Sequence, residues 1–202
     1  MKKILPLVFS LAVVVLFSFQ TATSGLPIGS VIPKSDIKLK DISGKEISMK
    51  EVMKPNGLLV MFSCNTCPYV IRNQARTKEV CEFAQKNKLG VILLNSNEAN
   101  RSGSDSYEAM QQYAKAQGYN WYYAVDKNSE IADAFDAGRT PECFLFDKDA
   151  KLVYHGAIDD NPQDASAVTR QHLKEAITEM VAGKTVSVAE TRSIGCGIKR
   201  AE

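Results

Sequence analysis

Two stretches, Gly57-Leu58-Leu59-Val60-Met61-Phe62 and Gly90-Val91-Ile92-Leu93-Leu94-Asn95, are apolar almost throughout and of strand length. Runs without alternating polar positions predict strands buried on both faces of a sheet. Between them, Tyr69 to Lys86 contains neither Gly nor Pro, and Val70, Ala75, Val80, Phe83 and Ala84 fit one helix. Upstream, Ile37, Leu39, Ile42 and Ile47 flank Ser43-Gly44-Lys45, a hairpin pattern. Downstream, Asn97 to Ser106 is a polar loop ending in Asp105, read as an N-cap for a helix from Tyr107 to Gln117 that Gly118 closes. Trp121 to Val125 predicts a short aromatic strand, and Ser129 to Phe135 a short helix stopped near Gly138. Glu142 to Phe146 and Lys151 to Tyr154 predict strands joined by a tight turn at Asp147 to Ala150, and Ser166 to Ala182 a last helix stopped by Gly183.

The order is hairpin, strand, helix, strand, helix, strand, short helix, hairpin, helix. Alternating strands and helices imply a parallel sheet core, to which the late hairpin adds antiparallel strands. The expectation is a mixed-sheet α/β sandwich without internal repeat or second domain.

The first residues follow another pattern. Lys2 and Lys3 precede an uncharged run from Ile4 to Phe19, and Thr21-Ala22-Thr23-Ser24-Gly25 supplies small residues where a peptidase cuts. This predicts an export signal over residues 1–24. The run is short for a membrane span, so a retained anchor is the lesser alternative. Residues 25–35 read as a linker with Gly, Ser and prolines, residues 36–185 as the domain, and residues 186–202 as a tail outside the compact fold. Export places the protein outside the cytoplasm, in the periplasm, with the membrane involved only if the segment is kept.

The chain has 202 residues, 45% of them apolar, which suits a globular domain. Without the first 24 residues, basic and acidic side chains balance, so charge gives no reason to expect nucleic acid as a partner. There are five cysteines. Outside the cytosol such residues form stable disulfides, and an odd number leaves at least one free or redox-active.

Cys64 and Cys67 stand where the first buried strand hands over to a helix, in Ser63-Cys64-Asn65-Thr66-Cys67-Pro68. Unpaired amides at a helix start favour a thiolate, the nucleophilic form. A spacing of three brings the second sulfur to the same face, where one cysteine attacks a disulfide and the other resolves the mixed intermediate. The pair has two other readings. Half a zinc site needs a second close pair, which Cys81, Cys143, Cys196, His155 and His172 do not form. A structural bridge over so short a loop constrains the unfolded chain little.

A strand ending in Cys64-x-x-Cys67, a helix, and far downstream Thr140-Pro141 opening another strand resemble the thioredoxin superfamily. The N-terminal hairpin, the insertion after the second strand, and Phe144-Leu145-Phe146-Asp147-Lys148-Asp149 before a strand are similar to its redoxin branch, the alkyl hydroperoxide reductase/thiol-specific antioxidant (AhpC/TSA) superfamily. Cys64-Asn65-Thr66-Cys67-Pro68-Tyr69-Val70 and Ser193-Ile194-Gly195-Cys196 resemble a peroxiredoxin-like subgroup of bacterial thioredoxin-family proteins.

The resemblance implies a thioredoxin-like three-layer α/β sandwich, a central mixed sheet flanked by helices. It implies an exported thiol–disulfide oxidoreductase in cell redox homeostasis, without cofactor or metal. Its partners would be protein thiols or disulfides and an upstream thiol reductant or oxidant. Cys64 would attack and Cys67 resolve, Pro141 would be the facing cis-proline, and Thr140 would offer backbone groups to a bound partner. Access agrees, since Cys64 is expected at the open end of the turn and Cys67 deeper.

Several residues depart from the pattern. Ser63 stands where thioredoxins carry Trp, and no acid lies within Leu58 to Phe62. Pro68 disfavours helical geometry at Cys67, so the regular helix is expected to begin at Pro68. A thiol-dependent peroxidase is the main alternative, yet neither cysteine has the peroxidatic Thr/Ser and Pro spacing; Arg139 is the arginine available to stand near a thiolate. A non-enzymatic copper chaperone using the cysteines and His155 is a minor one, with His155 otherwise a surface residue. Cys81 and Cys143 read as core. Cys196, between two glycines, is left as an electron relay, a resting cap on the pair, or a bystander.

Overall fold

The computed structural model describes residues 25–201; the export signal and its anchor alternative, placed in residues 1–24, lie outside the described residues. The elements run β1 (Leu39–Asp41), β2 (Glu46–Ile47), α1 (Met49–Val52), β3 (Leu58–Ser63), α2 (Pro68–Arg72), α3 (Gln74–Lys86), β4 (Gly90–Asn95), α4 (Tyr107–Gln117), β5 (Tyr122–Val125), α5 (Glu130–Ala134), β6 (Arg139–Thr140), β7 (Glu142–Phe146), β8 (Leu152–Gly156), α6 (His172–Val181) and β9 (Cys196–Gly197). Seven strands form one mixed sheet in the order β2-β1-β5-β4-β3-β7-β8, and β6 pairs with β9 in a separate ribbon. Helices cover both faces, giving the thioredoxin-like α/β sandwich expected from the strand order.

The unbroken apolar runs are explained by the two faces. Leu59 and Met61 of β3 join Val80, Cys81 and Ala84 of α3, Met110 of α4, and Leu173 and Ile177 of α6 in one core cluster. Leu58, Val60 and Phe62 of the same strand point the other way, into a cluster with Met49, Val52, Ile131 and Phe135. Every residue of β3 and β4 is buried. β3 lies parallel to β4 and antiparallel to β7, with Phe62 opposite Glu142. That register carries Cys64, just beyond β3, to the Thr140–Pro141 step between β6 and β7.

Local differences from the sequence reading have local causes. The helix expected over Tyr69 to Lys86 is interrupted at Asn73 (φ −86°, ψ 2°), whose side-chain amide shares the Tyr69 carbonyl with its own backbone N–H, at 2.7 and 3.1 Å. The N-cap of α4 is Ser106, whose hydroxyl accepts from Ala109; Asp105 is drawn into the interior instead. The last helix begins at His172 rather than Ser166, after Asp164 has capped a separate 3₁₀ turn at Ala165–Ala167. Residues of the expected linker lie along β8, with the Gly29 amide donating to Leu152 and Val31 bridging Lys151. The tail past residue 186 is also docked, since β9 belongs to it.

Candidate redox site

Cys67 is the N-cap of α2, with an extended backbone (φ −64°, ψ 124°), and Pro68 takes the first helical position. Proline loses nothing there, because that amide has no partner in a helix. The four residues from Cys64 to Cys67 therefore form a turn above the sheet, as the Cys67–Pro68 step requires.

That turn is held by buried polar groups. Asp105 Oδ1 accepts from the Asn65 amide at 3.0 Å and from Asn95 Nδ2 at 2.8 Å, and Oδ2 accepts from Asn97 Nδ2 at 3.0 Å. The Tyr123 hydroxyl donates to Asn65 Oδ1 at 2.9 Å, and Asn65 Nδ2 donates to the Ser104 carbonyl at 2.8 Å. Asn65 thus has a partner for both its side-chain nitrogen and its side-chain oxygen below the cysteine turn, where an unpaired amide would be costly.

Facing the turn, the Thr140–Pro141 bond is cis. Thr140 is buried, and its hydroxyl lies 3.4 Å from Cys64 Sγ; its carbonyl oxygen lies 3.3 Å from Cys67 Sγ. Cys67 is disulfide-bonded to Cys196 of the tail, with Cα atoms 6.1 Å apart, while Cys64, Cys81 and Cys143 are free. Cys64, Cys67 and Val70 form a small apolar cluster against which Tyr69, Tyr113 and Cys196 pack. Three sulfurs are thus brought together, one a thiol and two in a bond.

The access argument is not upheld. Cys64 is 1% exposed and Cys67 4%, so Cys64 is not the more open sulfur. Burial pushes the Cys64 thiol above its ordinary pKa, opposed by the Thr140 hydroxyl and reinforced by the nearby Asp105 charge. Cys81 and Cys143 are fully buried, and desolvation drives both thiols up, as suits core residues. Arg139 is exposed and donates to the Gly195 carbonyl at 3.2 Å, tying down the tail.

His155 is a second correction. It is buried, because β8 continues past Tyr154 to Gly156. Its ring stacks on Phe144, centroids 4.4 Å apart, and Nε2 lies 2.7 Å from Glu142 Oε1. Glu142, the residue after Pro141, also accepts from the amides of Gly138 and Arg139 through Oε2, both at 2.9 Å. The sequence reading sought a buried acid on β3 and missed this one on β7. An acid opening an otherwise apolar strand, Glu142-Cys143-Phe144-Leu145-Phe146, was the available signal. Asn65, Asp105 and Tyr123 were likewise missed as supports of the turn.

Residues 28–155 match the model of the AhpC/TSA family. The thiol-disulfide oxidoreductase ResA of Geobacillus thermodenitrificans (strain NG80-2) is 22% identical over 149 residues, covering 74% of this chain and 80% of that protein. Among solved structures, an uncharacterized conserved protein from Geobacillus kaustophilus superposes with a TM-score of 0.80 at 31% identity, over 87% of this chain and 93% of that one. A hypothetical protein from Sinorhizobium meliloti 1021 does so with a TM-score of 0.80 at 30% identity, over 89% of this chain and 99% of that one.

Proposed function

Because the chain belongs to the AhpC/TSA family, we propose that it is an exported thiol–disulfide oxidoreductase working by dithiol–disulfide exchange at Cys64 and Cys67. Its place would be redox homeostasis outside the cytoplasm, in the periplasm. The observation that carries this reading is the gathering of a free Cys64 and a Cys67–Cys196 disulfide beside Thr140. A thiol next to an exchangeable disulfide is the equipment the reaction needs. The name of the ResA relative favours the same chemistry.

The roles within the pair are exchanged relative to the sequence expectation. Cys67 is the sulfur that trades with partners, because it is already in a disulfide and caps a helix start. Cys64 resolves. Its thiolate attacks Cys67 Sγ, the Cys67–Cys196 bond breaks, and a Cys64–Cys67 bond forms. Cys196 leaves as a thiolate and takes up a proton equivalent to the one Cys64 gave up. An upstream dithiol then reduces Cys64–Cys67 and becomes a disulfide itself. The reduced pair passes the two electrons to a protein disulfide by the same steps. Thr140 positions the Cys64 sulfur through its hydroxyl, and Arg139 steadies the tail.

Insulin reduction and hydrogen peroxide consumption, each driven by dithiothreitol, test this. Insulin reduction is expected well above the thiol background. Peroxide turnover without insulin reduction would reverse the assignment in favour of a peroxidase.

A further inference from the structure

The tail's contacts resemble those of a bound peptide more than those of a structural strap. β9 pairs antiparallel with β6, Cys196 opposite Thr140 and Gly197 opposite Arg139, and the Ile198 amide donates to the Gly138 carbonyl at 3.0 Å. This is strand addition to a two-residue edge that ends at the cysteine pair. The cysteine at its centre is already disulfide-bonded to Cys67. From this we infer that the tail is an internal copy of the substrate, and that the groove along β6 takes an extended polypeptide whose cysteine follows a glycine.

The glycine requirement comes from a close approach. A Cβ on Gly195 would stand 2.2 Å from the Thr140 carbonyl oxygen and 2.7 Å from its carbon. Both are backbone atoms, which cannot swing aside. A Cβ on Gly197 would meet only the Gly138 carbonyl, at 4.0 Å. The position before the cysteine is therefore closed to side chains and the position after it is open. Further along, Ile198 is buried in the cluster that holds Phe135 and Ala137. Arg200 donates to Asp133 at 2.7 Å and to the Ala137 carbonyl at 2.9 Å. The preferred partner thus carries an apolar residue two places after its cysteine and an arginine four places after.

The inference rests on the exchange reading. The Cys67 thiolate attacks the peptide disulfide, releasing one peptide thiol. Cys64 then attacks Cys67, releasing the second thiol and leaving Cys64–Cys67 oxidised, so two electrons pass from the pair to the peptide disulfide.

The test uses the full chain as Cys196→Ser, reduced beforehand. It is offered insulin and the disulfide-linked dimers of three peptides: Ser-Ile-Gly-Cys-Gly-Ile-Lys-Arg, the same with Ala before Cys, and the same with Ala after Cys. The first and third are expected to react within about twofold of each other, and the second roughly tenfold slower or more. Equal rates for all three, with insulin still reduced, would overturn the tail reading and leave the exchange reading standing. Insulin left unreduced by wild type would overturn both. In a second arm, air-oxidised Gly195→Ala is expected to lose most of the Cys67–Cys196 disulfide while Gly197→Ala keeps it; the bond forming as fully in Gly195→Ala would also overturn the tail reading.

Discussion

Glu142 and His155 meet at 2.7 Å one residue beyond Pro141, so the strand facing the cysteines hangs from a buried acid. Glu142 also holds the amides of Gly138 and Arg139, which lead into β6. Truncating a buried acid leaves three partners unmatched, so Glu142→Ala is expected to lose about 3 kcal/mol of stability. Glu142→Gln, which keeps one acceptor, should lose less. Urea unfolding measures both, and an unchanged midpoint for Glu142→Ala would deny the acid this role.

Exchange roles can be separated by trapping. A chain lacking its resolving thiol retains the partner covalently, whereas one lacking the attacking thiol never captures it. In a Cys196→Ser background, which removes the thiol bonded to Cys67, Cys64→Ser is expected to accumulate mixed disulfides with exported proteins on non-reducing gels, and Cys67→Ser is not. The opposite pattern would return attack to Cys64.

The raised pKa of Cys64 has a directional consequence. The thiolate is the reactive form, and a raised pKa moves its appearance to higher pH. In the oxidised chain, alkylation of Cys64 by iodoacetamide should keep rising beyond the ordinary thiol pKa of about 8.5. Thr140→Val removes the hydroxyl that lowers the pKa, so alkylation at a fixed mildly alkaline pH should slow. A rate already flat at neutral pH would contradict the burial argument.

Asp105 is the hub beneath the cysteine turn, taking the Asn65 amide and the side chains of Asn95 and Asn97. Asp105→Ala is expected to cost about 2 to 4 kcal/mol through these orphaned donors. It should also slow insulin reduction, since Asn65 lies between the two cysteines. Loss of stability with exchange at the wild-type rate would separate the hub from the chemistry.

Export is checked at the N-terminus. Native protein is expected to begin after residue 22, 24 or nearby. Sequencing that returns Met1 would favour the anchor.

The bounds of β4 and α4 were legible because each sits in an unbroken pattern with a polar or glycine stop. The β6–β9 ribbon was not. Strands of two residues have no period, and their partners lie far apart in sequence. The cysteine pair was legible as a motif, but its supports were not. Asn65, Asp105 and Tyr123 come from three separate segments, and only the fold brings their polar atoms together. The bond to Cys196 was one of three roles left open by the sequence, because a cysteine between glycines gives no sign of where its chain will lie.

The Cys67–Cys196 bond closes a loop with a sequence separation of 129. Cross-linking residues so far apart restricts the unfolded chain by about 4 to 5 kcal/mol in chain-entropy terms, a sizeable share of a domain's stability. Reduction therefore does more than free a thiol. It loosens the whole domain, so melting temperature and resistance to proteases become gauges of the surrounding redox poise.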